Sequence, residues 1–302
     1  MEIAVINFTK VVGSNTIQSS SHIAWWISKK LKATIIDTKE ACYPTKYDWI
    51  FIVNGPLLYC GFREELVRLC ELNENYVWIG NDYAIEIPSN IKFIKDRNLH
   101  YWCGYENFKS VPNHSLINWN VLRYAGLPTK VGGEVKHTGL AYYGAFRQDR
   151  EKYFAKYFRT NKYDVYVSTS RQAKGKFRQL NPNIKFFTLK NIPRQFGQFE
   201  ATIYIEDVRN NSMYCHPANR FYECLSAGVV QFFDKSTEHT FIRAKYPVEP
   251  FVDSADEVGR YLGDHETMIK LYEIQKEIHK NFHSEVEIKF SELIKKISPH
   301  GV

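Results

Sequence analysis

Apolar residues in the first half of the chain fall into short runs separated by amphipathic stretches, a pattern that predicts strands alternating with helices. Strands joined through helices pair in parallel by right-handed crossovers, so we expect a parallel sheet. Ser19, Ser20 and Ser21 are placed to cap a helix that runs to about residue 31. The predicted strands cover residues 3–7, 33–37, 49–54 and 76–79, and a second helix covers residues 61–72.

The alternation stops near residues 127–137, where Pro128, Gly132 and Gly133 predict a hinge, and it then resumes. The resulting prediction is an α/β protein with two Rossmann-like, doubly wound domains that face a cleft, followed by a helical tail. We place the domains at residues 1–132 and 133–283, with a C-terminal helix of residues 284–302 that packs back on the first domain. Predicted strands of the second half cover residues 140–143, 163–167, 185–188, 201–205 and 228–233, and helices cover 149–158, 217–226 and 254–297.

The composition excludes a disordered chain, because apolar residues make up 44% and charged residues 24% of the 302 residues. No apolar run reaches the roughly 18–20 residues that a membrane span needs, and the first residues lack the basic start of a signal peptide. The six cysteines form no Cys-x-x-Cys pair, which argues against a zinc ribbon or a disulfide framework and fits a reducing cytoplasm. We expect no membrane partner.

The net charge of +7 and an aromatic content of 15% fit a polyanionic partner such as nucleic acid, and both also occur in proteins without one. Basic residues cluster between Arg171 and Arg178 and again between Lys152 and Lys162. Such runs are either solvated faces or surfaces that collect DNA phosphates without reading sequence.

A candidate phosphate loop follows the predicted strand at residues 140–143. The chain reads Gly144, Ala145, Phe146, Arg147, and Arg150 lies in the first turn of the next predicted helix. A glycine lets the backbone approach a ligand, a helix N-terminus offers free N–H groups, and guanidinium groups bind phosphate oxygens in pairs. The alternative is a pair of surface arginines at a helix start.

Arg220 and Glu223 are three residues apart in a predicted helix and therefore share a face. The arginine could hold a diphosphate while the glutamate, which only accepts hydrogen bonds, receives both hydroxyls of a ribose. The alternative is an ordinary salt bridge.

Three further candidates carry weaker signals. Asp82 follows the strand at residues 76–79, so it is expected at the cleft, where a carboxylate could accept a proton from a hydroxyl; a turn is the alternative. Ile192 lies in a loop whose backbone could meet a nucleobase edge, although a turn needs the same residues. Ser20 and His22 lie at a helix start, where capping and structural roles are common.

These segments, in this order, resemble the DNA β-glucosyltransferases of T-even phages, two-domain enzymes of GT-B architecture. The resemblance spans about residues 1–280 and rests on the opening strand with Ser20-Ser21, on the loop from Gly144 to Arg147, on Asn191-Ile192-Pro193 and on Arg220-Phe221-Tyr222-Glu223. The Arg-x-x-Glu element is widespread in GT-B enzymes, so it supports donor binding more than it identifies the acceptor. His22 stands in place of a metal-linked acid, which weakens the case for a divalent metal, Mg²⁺ or Mn²⁺, and Ala145 stands in place of a serine.

The resemblance implies an inverting glycosyltransferase that moves a hexose or pentose from a UDP-sugar, above all UDP-glucose, to duplex DNA. The acceptor would be the hydroxyl of a modified pyrimidine such as 5-hydroxymethylcytosine, or a sugar already on that base. It further implies a monomer in the cytoplasm of an infected bacterium, where the sugars protect phage DNA from host nucleases. By this resemblance the catalytic base is Asp82, and the donor-binding residues are Ser20, Gly144, Arg147, Arg150, Ile192, Arg220 and Glu223.

Candidates for the wall that contacts a flipped base are Tyr83, Trp102 and Tyr105. Two other readings stay open: a GT-B enzyme that acts on a small molecule, polysaccharide or lipid, and a non-catalytic DNA-binding module. A nicotinamide dehydrogenase is disfavoured because residues 8–14 contain no Gly-x-Gly-x-x-Gly motif.

Overall fold

The computed structural model describes residues 2–7, 18–37, 46–53, 73–80, 92, 95–103, 111, 113–119, 135–189, 196–206 and 217–298. The chain forms two compact units. Unit 1 comprises Met1–Gly126 and Phe282–Val302, and unit 2 comprises Leu127–Asn281.

Unit 1 contains a parallel sheet of six strands in the order β2-β1-β3-β4-β5-β6. Strands β1 and β4 are buried along their whole length, which explains their continuous apolar sequence, since helices cover both faces of such sheets. The strands are β1 (Ile3–Asn7), β2 (Thr34–Ile36), β3 (Trp49–Val53), β4 (Tyr76–Gly80), β5 (His100–Cys103) and β6 (His114–Leu116), and helix α1 covers Gln18–Leu31.

The C-terminal part of the last helix belongs to unit 1 and closes its core with one aromatic ring. Phe290 makes edge contacts with Trp26, Trp102 and Trp119, at ring-centroid distances of 5.1, 6.2 and 5.9 Å. On the surface beside it, the Lys30 ammonium lies 2.7 Å from the carboxylate of Glu287. This amphipathic segment is therefore fixed mainly by its apolar side.

Unit 2 contains a second parallel sheet of six strands, in the order β12-β11-β10-β7-β8-β9. From β7 the chain adds strands on one side, and from β10 it adds them on the other, so the order reverses between these two. The strands are β7 (His137–Tyr143), β8 (Val165–Ser168), β9 (Lys185–Phe186), β10 (Phe199–Tyr204), β11 (Val230–Asp234) and β12 (Phe251–Val252). The helices are α2 (Glu151–Phe158), α3 (Arg171–Leu180), α4 (Asn219–Ala227), α5 (Glu238–Ala244), α6 (Ala255–Leu262) and α7 (His265–Ile297).

An aromatic cluster fixes helices α2 and α3 on the sheet of unit 2. Tyr142 in β7 packs edge-on against Phe154 in α2 at 5.1 Å, and Phe154 packs against Phe177 in α3 at 5.0 Å. All three side chains are fully buried. Rings of this size dominate a core through the area they bury and through their preference for edge contacts. Much of the aromatic content is thereby explained by packing.

The prediction of a doubly wound α/β fold in two halves is confirmed. Strands β5 and β6 were not predicted, because β5 mixes a histidine with aromatic residues and β6 has three residues of which only Leu116 is apolar. Helix α1 begins at Gln18, so the predicted serine cap is wrong and the serines lie within its first turn. The predicted helix at residues 61–72 lies outside the described residues.

Two of the six cysteines, Cys103 and Cys224, are described, and both are buried free thiols. Among the described residues, no helix combines the length and the apolar character that crossing a bilayer demands.

Candidate functional site

Several of the residues singled out in unit 2 converge where its strand order reverses: Gly144, Arg150, Arg220 and Glu223. Strand β7 ends at Tyr143 and leads into Gly144, and β10 ends at Tyr204 and leads into Glu206. In doubly wound sheets, ligands bind at the carboxyl ends of the strands at this reversal, because the diverging loops leave a crevice there. Helix α4, which carries Arg220 and Glu223, contributes the third wall.

Gly144 is required at the end of β7 for two reasons. Its φ angle is +139°, a conformation that residues with a Cβ rarely adopt. A Cβ at this position would also lie 2.7 Å from Nη2 of Arg220 and 3.2 Å from the Tyr142 hydroxyl. The backbone N–H of Gly144 donates to the carbonyl of Ser168 at 2.9 Å, which ties the turn to β8. The glycine therefore makes room for a guanidinium group.

Arg220 lies in the first turn of α4. The N–H of Ala218, which precedes the helix, donates to the Tyr204 hydroxyl at 2.7 Å, so β10 sets where α4 begins. The guanidinium carbon lies 4.8 Å from the ring centroid of Tyr142 and 5.3 Å from that of Tyr143, close enough for cation–π attraction. Burial opposes the charge, but the surrounding Tyr142, Tyr143 and Glu206 raise the pKa of Arg220 above its usual value. The side chain is therefore a fixed cation.

Two nitrogens of the Arg220 guanidinium are unsatisfied by the residues that the structure describes. Within the described part of the chain, the buried Nε and Nη1 of Arg220 have no hydrogen-bond partner. Leaving a charged donor buried and unsatisfied costs more than leaving a neutral one, so such atoms are rare unless a ligand completes them. A guanidinium edge with two free N–H groups matches two oxygens of a phosphate.

Arg150 lies beside Arg220 but is bonded differently. Its guanidinium forms an ion pair with Glu206, and the two side chains are only 5% and 2% exposed. Burial opposes the charge of Arg150, and the Glu206 carboxylate more than compensates and raises its pKa. Arg150 ends a short 3-10 turn that leads into α2, with Arg147 exposed at the start of the turn. The role of Arg150 in binding phosphate stays a prediction.

Glu223 lies one helical turn after Arg220, and its carboxylate accepts a hydrogen bond from the Tyr143 hydroxyl. Burial, followed by the charge of Glu223, raises the pKa of Tyr143 well above its ordinary value, so the phenol stays protonated as a donor. The Tyr143 hydroxyl therefore holds the carboxylate of Glu223 in place beside the ring that contacts Arg220.

The structure thus brings together Gly144, Arg150, Arg220 and Glu223, whereas other predicted site residues are not located. Asp82 and Ile192 lie outside the described residues, and Ser20 is placed only as a backbone position in α1. The proposal of Trp102 for a base-contacting wall is wrong: its side chain is 1% exposed and packs against Phe51 and Phe290 in the core. Among the residues described, no group of three His, Cys, Asp or Glu could hold a metal ion.

Sequence reasoning missed Glu206 and Tyr143 as parts of the site. Glu206 directly follows a predicted buried strand, so an acid at the carboxyl end of β10 was the available signal. The position of Tyr143 at the end of β7 carried a similar signal. What the sequence does not reveal is which residues these two bond.

No protein-family model matches the chain, and no curated protein matches it significantly. Solved structures match over nearly the whole length. An alpha-glucosyltransferase in complex with UDP and a 13-mer DNA containing an HMU base aligns with a TM-score of 0.67 at 10% identity, covering 98% of this chain and 99% of that one. The DNA-modifying enzyme beta-glucosyltransferase, solved with and without uridine diphosphoglucose, aligns with a TM-score of 0.60 at 15% identity, covering 98% and 99%.

AviGT4, a glycosyltransferase involved in avilamycin A biosynthesis, aligns with a TM-score of 0.56 at 11% identity, covering 98% of both chains. At these identities the similarity establishes the fold. The chain has the two-domain, Rossmann-like GT-B fold, and the resemblance seen in the sequence is confirmed at that level.

Proposed function

We propose that this protein is a glycosyltransferase that moves a sugar, glucose, from a UDP-linked donor to duplex DNA. The observation that carries the proposal is the buried edge of Arg220, whose Nε and Nη1 lack partners among the described residues next to Gly144. A diphosphate supplies the oxygens that these donors need. The GT-B fold, shared with enzymes solved with UDP-glucose or with UDP and DNA, supports this choice of ligand.

In this proposal, unit 2 binds the donor. The diphosphate contacts Arg220 in the space that Gly144 leaves open, with the positive charges of Arg147 and Arg150 nearby. Glu223 accepts hydrogen bonds from the ribose hydroxyls, since a carboxylate only accepts and a diol can donate twice. Ile192 contacts the uracil and Ser20 the sugar. The domain of residues 1–132 binds the acceptor, and that of residues 133–283 binds the donor.

The transfer is a direct displacement. Asp82 takes the proton of the acceptor hydroxyl while the hydroxyl oxygen forms a bond to the anomeric carbon. At the same time the bond from the anomeric carbon to the diphosphate oxygen breaks. The electron pair leaves with UDP, and Arg220 stabilises the charge that grows on the diphosphate. Attack opposite to the leaving group inverts the anomeric centre.

The proposed acceptor is the hydroxyl of a modified pyrimidine, such as 5-hydroxymethylcytosine, or a sugar already attached to one. A base inside a duplex cannot reach a buried donor, so the nucleotide is flipped out of the stack. We propose that the enzyme acts as a monomer in the cytoplasm of an infected bacterium and protects phage DNA from host nucleases.

The test is sugar transfer from labelled UDP-glucose to hydroxymethylated duplex DNA by the wild type and by Asp82→Asn. Loss of a general base lowers turnover by about 10²–10⁴-fold, while donor affinity changes little, because Asp82 does not hold the diphosphate. Asp37→Asn, at an exposed aspartate of unit 1, is the matched control. Unchanged turnover of Asp82→Asn would remove the assigned base.

The second candidate is an enzyme with the same donor site and a small-molecule acceptor, which the match to AviGT4 favours. The two differ in their response to salt, since binding to duplex DNA weakens steeply as salt rises and binding to a neutral small acceptor does not. A non-catalytic DNA-binding module, in contrast, would gain no thermal stability from UDP.

A further inference from the structure

Helix α3 of unit 2 carries three basic residues on one face with a glycine among them. Arg171, Lys174 and Arg178 follow the spacing i, i+3, i+7, which aligns side chains along one side of a helix, and Gly175 at i+4 lies on the same side. Phe177 points the other way, into the core. Arg171, Lys174, Gly175 and Arg178 form what we term the basic face of α3.

The cations of the basic face are held in place but not neutralised. Lys174 Nζ and the guanidinium carbon of Arg178 lie 5.3 and 5.2 Å from the ring centroid of Phe186, which orients both. In the described part of the chain, none of the three cations forms an ion pair, and α3 itself contains no acidic residue. Asp164, an acid of the neighbouring β8–β9 edge, is paired with Lys185.

Helix α7 shows the opposite arrangement, although its solvent-facing side is also rich in basic residues. Lys270 lies 2.7 Å from the Glu266 carboxylate, and Lys276 lies 3.1 Å from that of Glu273. Pairs three or four residues apart are the usual way in which an exposed helix balances its charge. The uncompensated charge of α3 therefore distinguishes it from a solvated face in the same unit.

Gly175 supplies an independent observation. A Cβ at this exposed position would meet nothing within 4 Å, so no neighbour inside the protein excludes a side chain there. Glycine weakens a helix interior relative to alanine, and here the fold gains nothing in return. The bare backbone between Lys174 and Arg178 allows close approach by a partner.

The position of α3 connects the basic face to the candidate site. The helix follows β8, the neighbour of β7, so its first turn lies at the same edge of the sheet as Gly144. Phe177 contacts Phe146, in the loop that follows Gly144, at a ring-centroid distance of 4.9 Å. A polyanion on the basic face would therefore lie on the outer side of the helix whose inner side packs against the loop that we assign to the donor.

We propose that the basic face of α3 binds the sugar–phosphate backbone of the acceptor duplex. From Arg171 to Arg178 the helix rises about 10 Å, which matches about three base-pair steps along one strand. Closely spaced phosphates complement a row of cations, and Gly175 lets a phosphate reach the helix backbone. This inference rests on the proposed function, because it takes DNA to be the acceptor.

The test compares two triple variants of the full-length protein that lose the same charge. One is Arg171→Gln/Lys174→Gln/Arg178→Gln, and the control is Lys270→Gln/Lys276→Gln/Lys280→Gln, at lysines paired with acids on α7. Binding to a short fluorescent duplex is measured by anisotropy over a range of salt. The α3 variant is expected to bind about tenfold or more weakly at low salt, with the log–log salt slope reduced by about two to three, and the control is expected to change little.

Gly175→Ala separates close approach from charge. This substitution should raise the midpoint of thermal unfolding, because alanine favours the helix, and should nevertheless weaken DNA binding severalfold. Gly259→Ala in α6 is the control, since its Cβ would make only ordinary contacts, the nearest at 3.6 Å. A Gly175→Ala protein that binds DNA as the wild type does would overturn the role of the glycine.

The outcomes distinguish this inference from the proposed function. If the α3 triple variant binds DNA as tightly as the wild type does and with the same salt slope, this inference is overturned and the proposed function is not. A wild type that is stabilised by UDP but binds no duplex would overturn DNA as the acceptor and the inference with it. Transfer to a free hydroxymethylated nucleoside should be unchanged in the α3 variant, because that acceptor has no backbone to bind.

Discussion

Two buried charges of unit 2, Asp234 and Arg220, differ in how far hydrogen bonds and ion pairs satisfy them. Asp234, at the end of β11, is fully buried and has a partner on every side: Lys156 Nζ at 2.9 Å, the Tyr157 hydroxyl at 2.5 Å and the Ser236 N–H at 2.9 Å. Arg220, at the start of α4, keeps two buried nitrogens without a partner in the described residues. Both are charges at the carboxyl edge of one sheet, yet only one is saturated.

This difference separates a structural charge from a binding charge. A buried ion is tolerated when hydrogen bonds and counter-charges replace its lost water, as they do around Asp234. An ion that lacks part of this compensation lowers stability, and such deficits persist where a ligand makes up for them. Removing Asp234 should therefore reduce stability, whereas removing Arg220 should reduce donor binding.

The largest effect is expected at Glu206, which is both a structural charge, through its pair with Arg150, and a neighbour of the binding charge Arg220. Glu206→Gln removes the charge of the carboxylate that pairs with the buried guanidinium of Arg150, which should cost about 3 kcal/mol of unfolding free energy. Arg150 and Arg220 then lose a shared negative neighbour, so donor affinity should change as well. Chemical denaturation and donor titration measure the two effects. The control is Glu266→Gln, whose exposed pair with Lys270 should contribute under about 1 kcal/mol.

Arg220→Gln should lower donor affinity by about 100-fold, the equivalent of the roughly 1.5–3 kcal/mol of a charge-assisted hydrogen bond. Unfolding free energy should change less than in Glu206→Gln, because the variant gives up the contacts with Tyr142 and Tyr143 but also removes two buried donors that the described residues leave unsatisfied. Calorimetric titration with UDP and thermal unfolding test this pair of results. Arg260→Gln, at an exposed arginine, is the control. A marked loss of stability with normal UDP binding would reverse the assigned roles.

Asp234→Asn should have the converse result, a loss of about 2 kcal/mol of unfolding free energy with donor affinity unchanged. The asparagine keeps the shape and one acceptor oxygen but gives up the ion pair with Lys156, whose ammonium would retain only Asp253, at 2.6 Å. Denaturant unfolding at neutral pH measures the loss. Weakened UDP binding in this variant would show that the two regions are not separate.

The same carboxylate predicts a dependence of stability on pH. Burial alone would raise the pKa of Asp234, but hydrogen bonds from Ser236, Tyr157 and Lys156 outweigh it and hold the pKa below the ordinary value of 3.8. A depressed pKa in the folded state stabilises the protein above pH 3.8, and that contribution is lost as the pH falls through the folded pKa. The stability difference between wild type and Asp234→Asn should therefore shrink as unfolding is measured at progressively more acidic pH.

The sequence predicts the parts of this site whose signals are local. Gly144 directly follows a strand, and Arg220 and Glu223 share a helical face through their spacing, so the loop and the helix could both be identified. The pairing of Arg150 with Glu206 joins residues 56 positions apart and depends on how β7 and β10 come together. No local sequence pattern in either segment predicts this ion pair. Strands β5 and β6 were missed for a related reason: β5 is buried between its neighbours without a typical apolar run, and β6 is a short, partly exposed strand defined by its pairing with β5.

Gly144→Ala should have a smaller effect on donor affinity than Arg220→Gln. The substitution is informative because its effect should depend on whether Arg220 is present. The new Cβ would lie 2.7 Å from Nη2 of Arg220, and the guanidinium can move aside because it is the flexible end of the side chain. Together with the strain of a positive φ, this should lower donor affinity by about tenfold. If the glycine acts by making room for Arg220, the double variant Gly144→Ala/Arg220→Gln should bind UDP no more weakly than Arg220→Gln alone. Additive losses would instead show that Gly144 contacts the diphosphate through its own backbone.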